Sequence, residues 1–397
     1  MTSVPMGAPG AGELFQHLRD GEPRTKAELG ELSSLARSAI AARLEALVST
    51  GLLRPVGEAA STGGRPPTRF ALDDTAHAVL GVDLGASHAA VAVIDLVGNV
   101  RREVTVDSDI ADGPVDVLDR VLDLADTLLT DLGLESRDVM GVGIGVPGPV
   151  EHSTGRPVHP PIMPGWHEFD VPGHLNQHFD GPVLVDNDVN ILARGEHVGA
   201  WAHEDHLLYV KVATGIGAGI ISHRHLLQGG VGTAGDLGHV PVVEGETATV
   251  CRCGNVGCLE AVAAGPAVAA VLRERGLDVH TTQEVVAAVR SGDTDAARAV
   301  REAGRTIGGV LATCVNLLNP SIIVIGGTLA AAENLVAGAR EVIFQRSLPL
   351  ATSNLRIVTA TGDRAALVGA GAMVLEQVLS PSAVDAIVSR TLLENAG

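Results

Sequence analysis

Val79-Leu80-Gly81-Val82-Asp83-Leu84-Gly85-Ala86-Ser87 reads as an apolar strand that ends on an aspartate and opens into a glycine turn carrying a hydroxyl. The chain then returns through a second strand, Ala89 to Asp95, turns at Gly98-Asn99 and starts a third strand at Val100. Short apolar runs punctuated by glycine turns mark buried strands. An acidic group at a strand end, beside a turn that offers backbone amides, suits a phosphate and a hydrated magnesium ion. Alone this signal is weak. Two later stretches add to it: Val212-Ala213-Thr214-Gly215-Ile216-Gly217-Ala218-Gly219-Ile220 and Ile323-Val324-Ile325-Gly326-Gly327.

Composition sets the frame for these strands. A chain of 397 residues, 46% hydrophobic, suffices for two or three domains, and 2% aromatics with 48 glycines describe an α/β body packed with small aliphatic side chains. The longest apolar run, around residues 261–272, is broken by Gly265 and Pro266. It falls short of the roughly 20 residues that a membrane span needs. A soluble, cytoplasmic protein without a membrane partner is expected. Three of the four cysteines fall within residues 251–258, a spacing for metal rather than for disulfides, and Cys314 in an apolar helical run reads as buried filler. His203, His206, His223 and His225 read as scattered loop residues.

The net charge of -19 is unevenly spread. Residues 1–72 hold eight Lys and Arg against seven Asp and Glu, a balance of +1, so the remaining 325 residues carry 20 basic and 40 acidic groups, a balance of -20. An acidic body is repelled by a polyanion, which confines any nucleic-acid contact to the first segment. There the patterns are helical. Leu14, Phe15 and Leu18 form a short apolar face, Thr25-Lys26-Ala27-Glu28 is a capping box, and Leu35, Ile40, Leu44, Leu47 and Val48 stripe a third helix that Gly51 stops. Ser33-Ser34 joins the second helix to the third, the spacing of a helix-turn-helix. Residues 52–56 and 68–72 then pair as a wing around a Gly-Gly-Arg-Pro-Pro tip. Arg37, Ser38 and Arg43 are the expected recognition residues, and Arg65 is the expected minor-groove probe. Ala36 is a poor N-cap, and the many alanines around it leave much of the affinity to phosphate contacts.

The remaining motifs are Gly143-Ile144-Gly145-Val146-Pro147-Gly148-Pro149, Pro164-Gly165-Trp166, Asp186-Asn187-Asp188-Val189-Asn190, Ala234-Gly235-Asp236-Leu237-Gly238-His239 and Cys251-Arg252-Cys253-Gly254-Asn255-Val256-Gly257-Cys258-Leu259-Glu260. With these the chain resembles, over essentially its whole length, the ROK family of repressors, open reading frames and kinases. The resemblance implies two ribonuclease-H-like lobes of the actin-like ATPase, sugar-kinase fold behind a winged helix-turn-helix. The winged domain is placed at 1–72 and the body at 73–397, with lobe 1 at about 78–190 plus the carboxy-terminal helices and lobe 2 at about 191–365. Those helices, around 366–378 and 382–393, are expected to pack back on the winged segment or on a partner subunit.

His239 with Cys251, Cys253 and Cys258 makes a Cys₃His set, and four N/S ligands describe a structural zinc ion. With one ring nitrogen on the metal, His239 offers the other to a ligand hydroxyl, and Asp236 and Glu260 are held beside it. The resemblance places Asn187, Asp188, Asp236, His239 and Glu260 at sugar-contact positions. In the family's kinases the carboxylate at the position of Asp188 is the general base toward ATP with Mg2+. Asp236 departs from the pattern, since the kinases usually carry Glu there. So does the nucleotide side, assigned to Asp83, Gly85, Ser87, Thr214, Gly215, Gly326 and Gly327. Ala86, Ala213 and Thr328 stand where kinases tend to have glycine. The expectation is a sugar-responsive repressor acting as a homodimer or homotetramer on double-stranded operator DNA, with an ATP-dependent hexose kinase as the alternative.

Overall fold

A computed structural model describes residues 10–58, 66–245, 248–362 and 364–394. The amino-terminal segment runs α1 (Ala11–Gln16), β1 (Arg24–Thr25), α2 (Lys26–Ser33), α3 (Arg37–Ser49), β2 (Leu53–Glu58) and β3 (Thr68–Leu72). The body continues through β4 (Ala78–Leu84), β5 (His88–Ile94), β6 (Val100–Asp107), α4 (Pro114–Asp131), β7 (Val139–Val146), β8 (Val150–Glu151), β9 (Arg156–Pro157), α5 (Val171–Leu175), β10 (Val183–Asn187) and α6 (Asp188–Val198). Then follow β11 (His206–Val212), β12 (Ile216–Ser222), β13 (His225–Leu226), α7 (Leu259–Ala263), α8 (Gly265–Glu274), α9 (Thr282–Arg290) and α10 (Thr294–Leu318). The chain ends with β14 (Ile322–Gly326), α11 (Glu333–Arg346), α12 (Pro349–Thr352), β15 (Arg356–Thr359), α13 (Ala365–Val378) and α14 (Pro381–Glu394).

The first segment folds as its pattern predicts. Thr25 Oγ1 accepts from the Glu28 amide at 3.3 Å while Glu28 Oε2 accepts from the Thr25 amide at 2.7 Å, so two helix-end donors are satisfied together. Ser34, at φ 57°, turns the chain from α2 into α3, which starts behind an Ala36 that offers no side-chain cap. Leu14, Phe15, Leu18, Leu29, Ile40, Leu44 and Leu47 close a small core beneath. The wing pairs antiparallel from Leu53 opposite Leu72 to Glu58 opposite Thr68, and β1 joins the other edge of β3. The wing tip with Arg65 lies outside the described residues.

Two five-stranded sheets carry the body, and they share one order. In β10-β7-β4-β5-β6 the earliest strand is central, the next two follow on one side as an antiparallel hairpin, and the later two lie on the other. In β13-β12-β11-β14-β15 the pattern repeats, with β11 antiparallel to β12 and parallel to β14. This duplicated order is the ribonuclease-H-like, actin-like arrangement. Alternation decides the faces of the second sheet. Leu208, Val210 and Val212 enter the large core with α7 to α11, while Leu207 and Tyr209 enter the smaller one with Val189 and Ala193 of α6. Among the described residues no single helix is long and apolar enough to cross a bilayer.

The chain forms two compact units, one of Met1–Ile144, Asp170–Val185 and Ala370–Gly397, the other of Gly145–Phe169 and Asp186–Gly369. Within the first, α14 returns to the winged segment and lies against α1 and α3. Gly12 donates its amide to Asp385 Oδ1 at 2.8 Å, and Gln16 Nε2 donates to the Leu379 carbonyl at 2.9 Å. A β-carbon on Gly12 would stand 1.9 Å from the Pro381 carbonyl oxygen. Gly12→Val is therefore expected to destabilise the protein by about 1–3 kcal/mol, the range for overpacking. The thermal midpoint followed by circular dichroism should fall by a few degrees, and an unchanged midpoint would mean that α1 and α14 do not touch in solution.

Candidate metal centre and effector site

Three polar groups of the second unit, Glu260, Asp236 and His239, are placed by contacts with the start of one strand, β12. Ile216 donates its amide to Glu260 Oε2 at 3.1 Å, and a β-carbon at Gly215 would lie 2.5 Å from that same oxygen. The turn that carries Asp236 and His239 presses on the next residues: Ala218 donates to the Gly235 carbonyl at 2.8 Å, and a β-carbon at Gly238 would meet the Ile216 oxygen at 2.2 Å. Gly217 faces Val189, the residue after Asp188, and a β-carbon there would press on its Cγ2 at 3.0 Å. The glycine hairpin read from the sequence as a phosphate loop is thus the seat of the polar cluster.

His239, Cys251, Cys253 and Cys258 converge beside that seat, all four ligand atoms lying within 4.8 Å of one another. Gly254 at φ 90° and Gly257 at φ 74° allow the reversal that brings the thiols together, and Cys251 donates its amide to the Asn255 carbonyl at 2.7 Å across it. Cys253 Sγ and Cys258 Sγ are 3.8 Å apart, and Cys251 Sγ is 3.6 Å from His239 Nδ1. A tetrahedron with metal–sulfur bonds of about 2.3 Å has edges of about 3.8 Å, so the donors already stand at ligand spacing. Their acidity fits as well. Burial pushes the Cys258 thiol up to about 12 and raises Cys251, while the Asn255 backbone N–H holds Cys253 below its usual value. Three crowded thiols do not ionise together unaided; a dication among them would supply the missing charge.

Nδ1 of His239 faces the thiols and Nε2 faces Asp236, whose Oδ1 is 3.8 Å away. Asp188 opens α6 and is buried, with Lys211 Nζ 2.5 Å from its Oδ2. Asn187 is more occupied than its sequence reading implied. Its Oδ1 accepts from the Val189 amide at 2.8 Å as the N-cap of α6, and its Nδ2 donates to the Gly148 carbonyl at 3.0 Å. Asp186 Oδ1 accepts from Asn190 Nδ2 at 2.7 Å and from the Asn187 amide, also at 2.7 Å. Gln228 Nε2 then bridges Asp186 Oδ2 at 3.3 Å and His152 Nδ1 at 2.7 Å. Sequence reading missed Lys211, Gln228 and His152. A lysine breaking the apolar alternation of β11 was the available signal for the first, and no local motif marks the other two.

The candidate nucleotide residues fall in both units. In the first, His88 covers the turn: its Nε2 is 3.1 Å from Asp83 Oδ2, and a β-carbon at Gly85 would collide with its ring at 2.1 Å. Ser87 is exposed. In the second, Thr214 is exposed, a β-carbon at Gly326 would strike the Tyr209 hydroxyl at 2.1 Å, and one at Gly327 would strike the Val212 carbonyl at 2.5 Å. These two glycines answer to packing on β11 before any ligand. Thr328 and Ala331 line a pocket of about 410 Å³ with Gln283, Val286, Ala287 and Arg290. Of the winged-segment residues, Arg37 and Ser38 are exposed at the start of α3, whereas the Arg43 guanidinium lies over Gly10. Six residues at roughly 100° each carry Arg43 to another face of the helix. His206, His223 and His225 are not scattered: they share the β11–β12–β13 hairpins, with the His206 and His223 rings edge to face at 4.7 Å.

Residues 79–377 match the ROK family, and the chain belongs to it. It is 29% identical to a xylose repressor of Caldicellulosiruptor bescii over 383 residues, covering 92% of this chain and 95% of that protein. To a glucokinase of Halalkalibacterium halodurans it is 30% identical over 316 residues, covering 75% of this chain and 95% of the enzyme. A solved ROK family transcriptional regulator, a homolog of E. coli MLC, superposes with a TM-score of 0.80 at 24% identity, covering 96% and 99% of the two chains, which shows the shared fold.

Cys253 is the exposed ligand, so serine fits there without repacking the interior. Cys253→Ser is expected to cut bound metal from one ion per chain to under about a tenth, since a hydroxyl is a far poorer ligand than a thiolate. Elemental analysis of the purified variant beside the parent checks it.

Proposed function

We propose that this chain is a cytoplasmic, sugar-responsive DNA-binding transcription regulator, a repressor of carbohydrate genes. The observation that carries the proposal is the winged helix-turn-helix joined to a ROK body: the match to a repressor spans 92% of the chain, and the match to a glucokinase only 75%. Arg37 and Ser38, exposed in the first turn of α3, enter the major groove of an operator, and Arg65 follows the wing into the minor groove. The metal is zinc, held by His239, Cys251, Cys253 and Cys258. Its role is to fix the His239 tautomer and the turn bearing Asp236. Asp188, Asp236, His239 Nε2 and Glu260 then recognise the hydroxyls of a sugar or sugar phosphate, and Asn187 contributes by shaping the loop at Gly148. A sugar hydroxyl both donates and accepts, and each carboxylate here is an acceptor fixed before the ligand arrives.

The glucokinase relatives and the pocket at Thr328 favour one second reading, an ATP-dependent hexose kinase with Asp188 as base. His88 over Asp83 and Gly85 speaks against it, because the imidazole holds the place where phosphate and magnesium would approach. With hexoses and ATP, ADP release should stay below about 1 per second, the low end for kinases. A faster rate would make the protein an enzyme.

The main reading is tested by selecting duplexes from a random pool with the full chain and then titrating the selected duplex. Arg37→Ala should weaken binding at least tenfold and lower the salt slope by about 1. A sugar should raise the thermal midpoint and shift the duplex affinity in the same preparation. A chain that selects no duplex, with or without sugars, contradicts the proposal.

A further inference from the structure

Lys211 is the one interior-facing cation of β11, and its place is unusual. Along this strand Leu207 and Tyr209 point toward α6, and the same alternation points Lys211 there, into a position that an apolar side chain would otherwise fill. Directly across from it stand Gly217 on β12 and Gly326 on β14. Cross-strand partners share a face, so the lysine stem has no flanking side chain from either neighbour. Its Nζ reaches Asp188 Oδ2 at 2.5 Å, with the aspartate side chain 9% exposed and the lysine 26%. Removing a carboxylate from water is costly, and a contacting ammonium with a second hydrogen-bonded oxygen is the usual compensation. The charges facing this end of α6 from its packed neighbours are Lys211 on β11 and Asp186 at the end of β10; β12 carries none.

Resting on the sugar-binding reading above, we infer that Lys211 is a positioning residue of the effector site: it ties one oxygen of Asp188 so that the other is held as an acceptor for a ligand hydroxyl. The carboxylate then receives a hydrogen bond and leaves the proton on the sugar. The lysine itself acts through Asp188.

A double-mutant cycle on the full chain tests this, with D-glucose and D-xylose as probes in isothermal titration. Lys211→Met and Asp188→Asn are each expected to weaken binding of the responsive probe at least tenfold. The double variant should bind within about twofold of Asp188→Asn alone, because the lysine has nothing left to position. Lys211→Arg should recover part of the loss. If Lys211→Met proves insoluble, Asp188→Asn against the double variant, which buries neither charge, makes the same comparison. A double variant weaker by the product of the single losses, or a Lys211→Met protein that binds like wild type, overturns the inference. Wild-type protein that takes up neither probe instead overturns the sugar-binding reading on which it rests.

Discussion

The bare backbone at the start of β12 is the constraint on which the effector site depends. A strand normally excludes its surroundings by the width of its side chains. From Gly215 to Gly219 three glycines remove that width, and polar groups approach the main chain itself: Glu260 bonds to the Ile216 amide, and the Asp236–His239 turn rests on Ile216 and Ala218. Glu260 and the first turn of α6, which Asp188 opens, are far apart in sequence and gain a common reference because Glu260 and Val189 both abut this stretch. A β-carbon at Gly215, 2.5 Å from Glu260 Oε2, would push that carboxylate off the Ile216 amide, since a hydrogen bond's useful range is a few tenths of an ångström.

The metal set and the hydrophobic core solve different parts of the same problem. The large core behind β11, β12 and β14 fixes the sheet, with Leu208, Val210 and Ile216 fully interior. It touches the segment from Gly229 to Val256 only through the partly buried Leu237 and Val242 among the described residues, and Val231, Val243, Val250 and Val256 are exposed. A loop without a core of its own takes its order from another source, and four ligand atoms within 4.8 Å are such a source. The binding free energy of a metal held there would be folding free energy for the loop. Since His239 belongs to both the ligand set and the polar cluster, order in one is order in the other.

Much of this was legible in the sequence. Period-2 apolar runs and glycine turns marked the strands around Asp83 and Gly326, the capping box marked α2, and the Cys-x-Cys-x₄-Cys spacing with His239 marked the metal ligands. What stayed hidden was long-range. No local pattern says that Gly215 makes room for Glu260, 45 positions on, so the glycine hairpin was read by its resemblance to phosphate loops. Likewise Gly85 was read as open to a ligand, while the structure lays His88 against it. Arg43 shows a subtler limit. It stands off the apolar stripe by sequence, yet Gly10 leaves a gap that its guanidinium fills, and nothing near residue 43 encodes that.

Charge places a further demand on a protein of this kind. The body carries a balance of -20 and the winged segment only +1, so a single winged segment has little non-specific attraction for a duplex. Counterion release scales with the number of phosphates neutralised, and of the two groups exposed at the start of α3 only Arg37 is charged. In the proposed regulator, preference for one site over bulk DNA then has to come from how the exposed start of α3 fits the groove, because net charge supplies little of it.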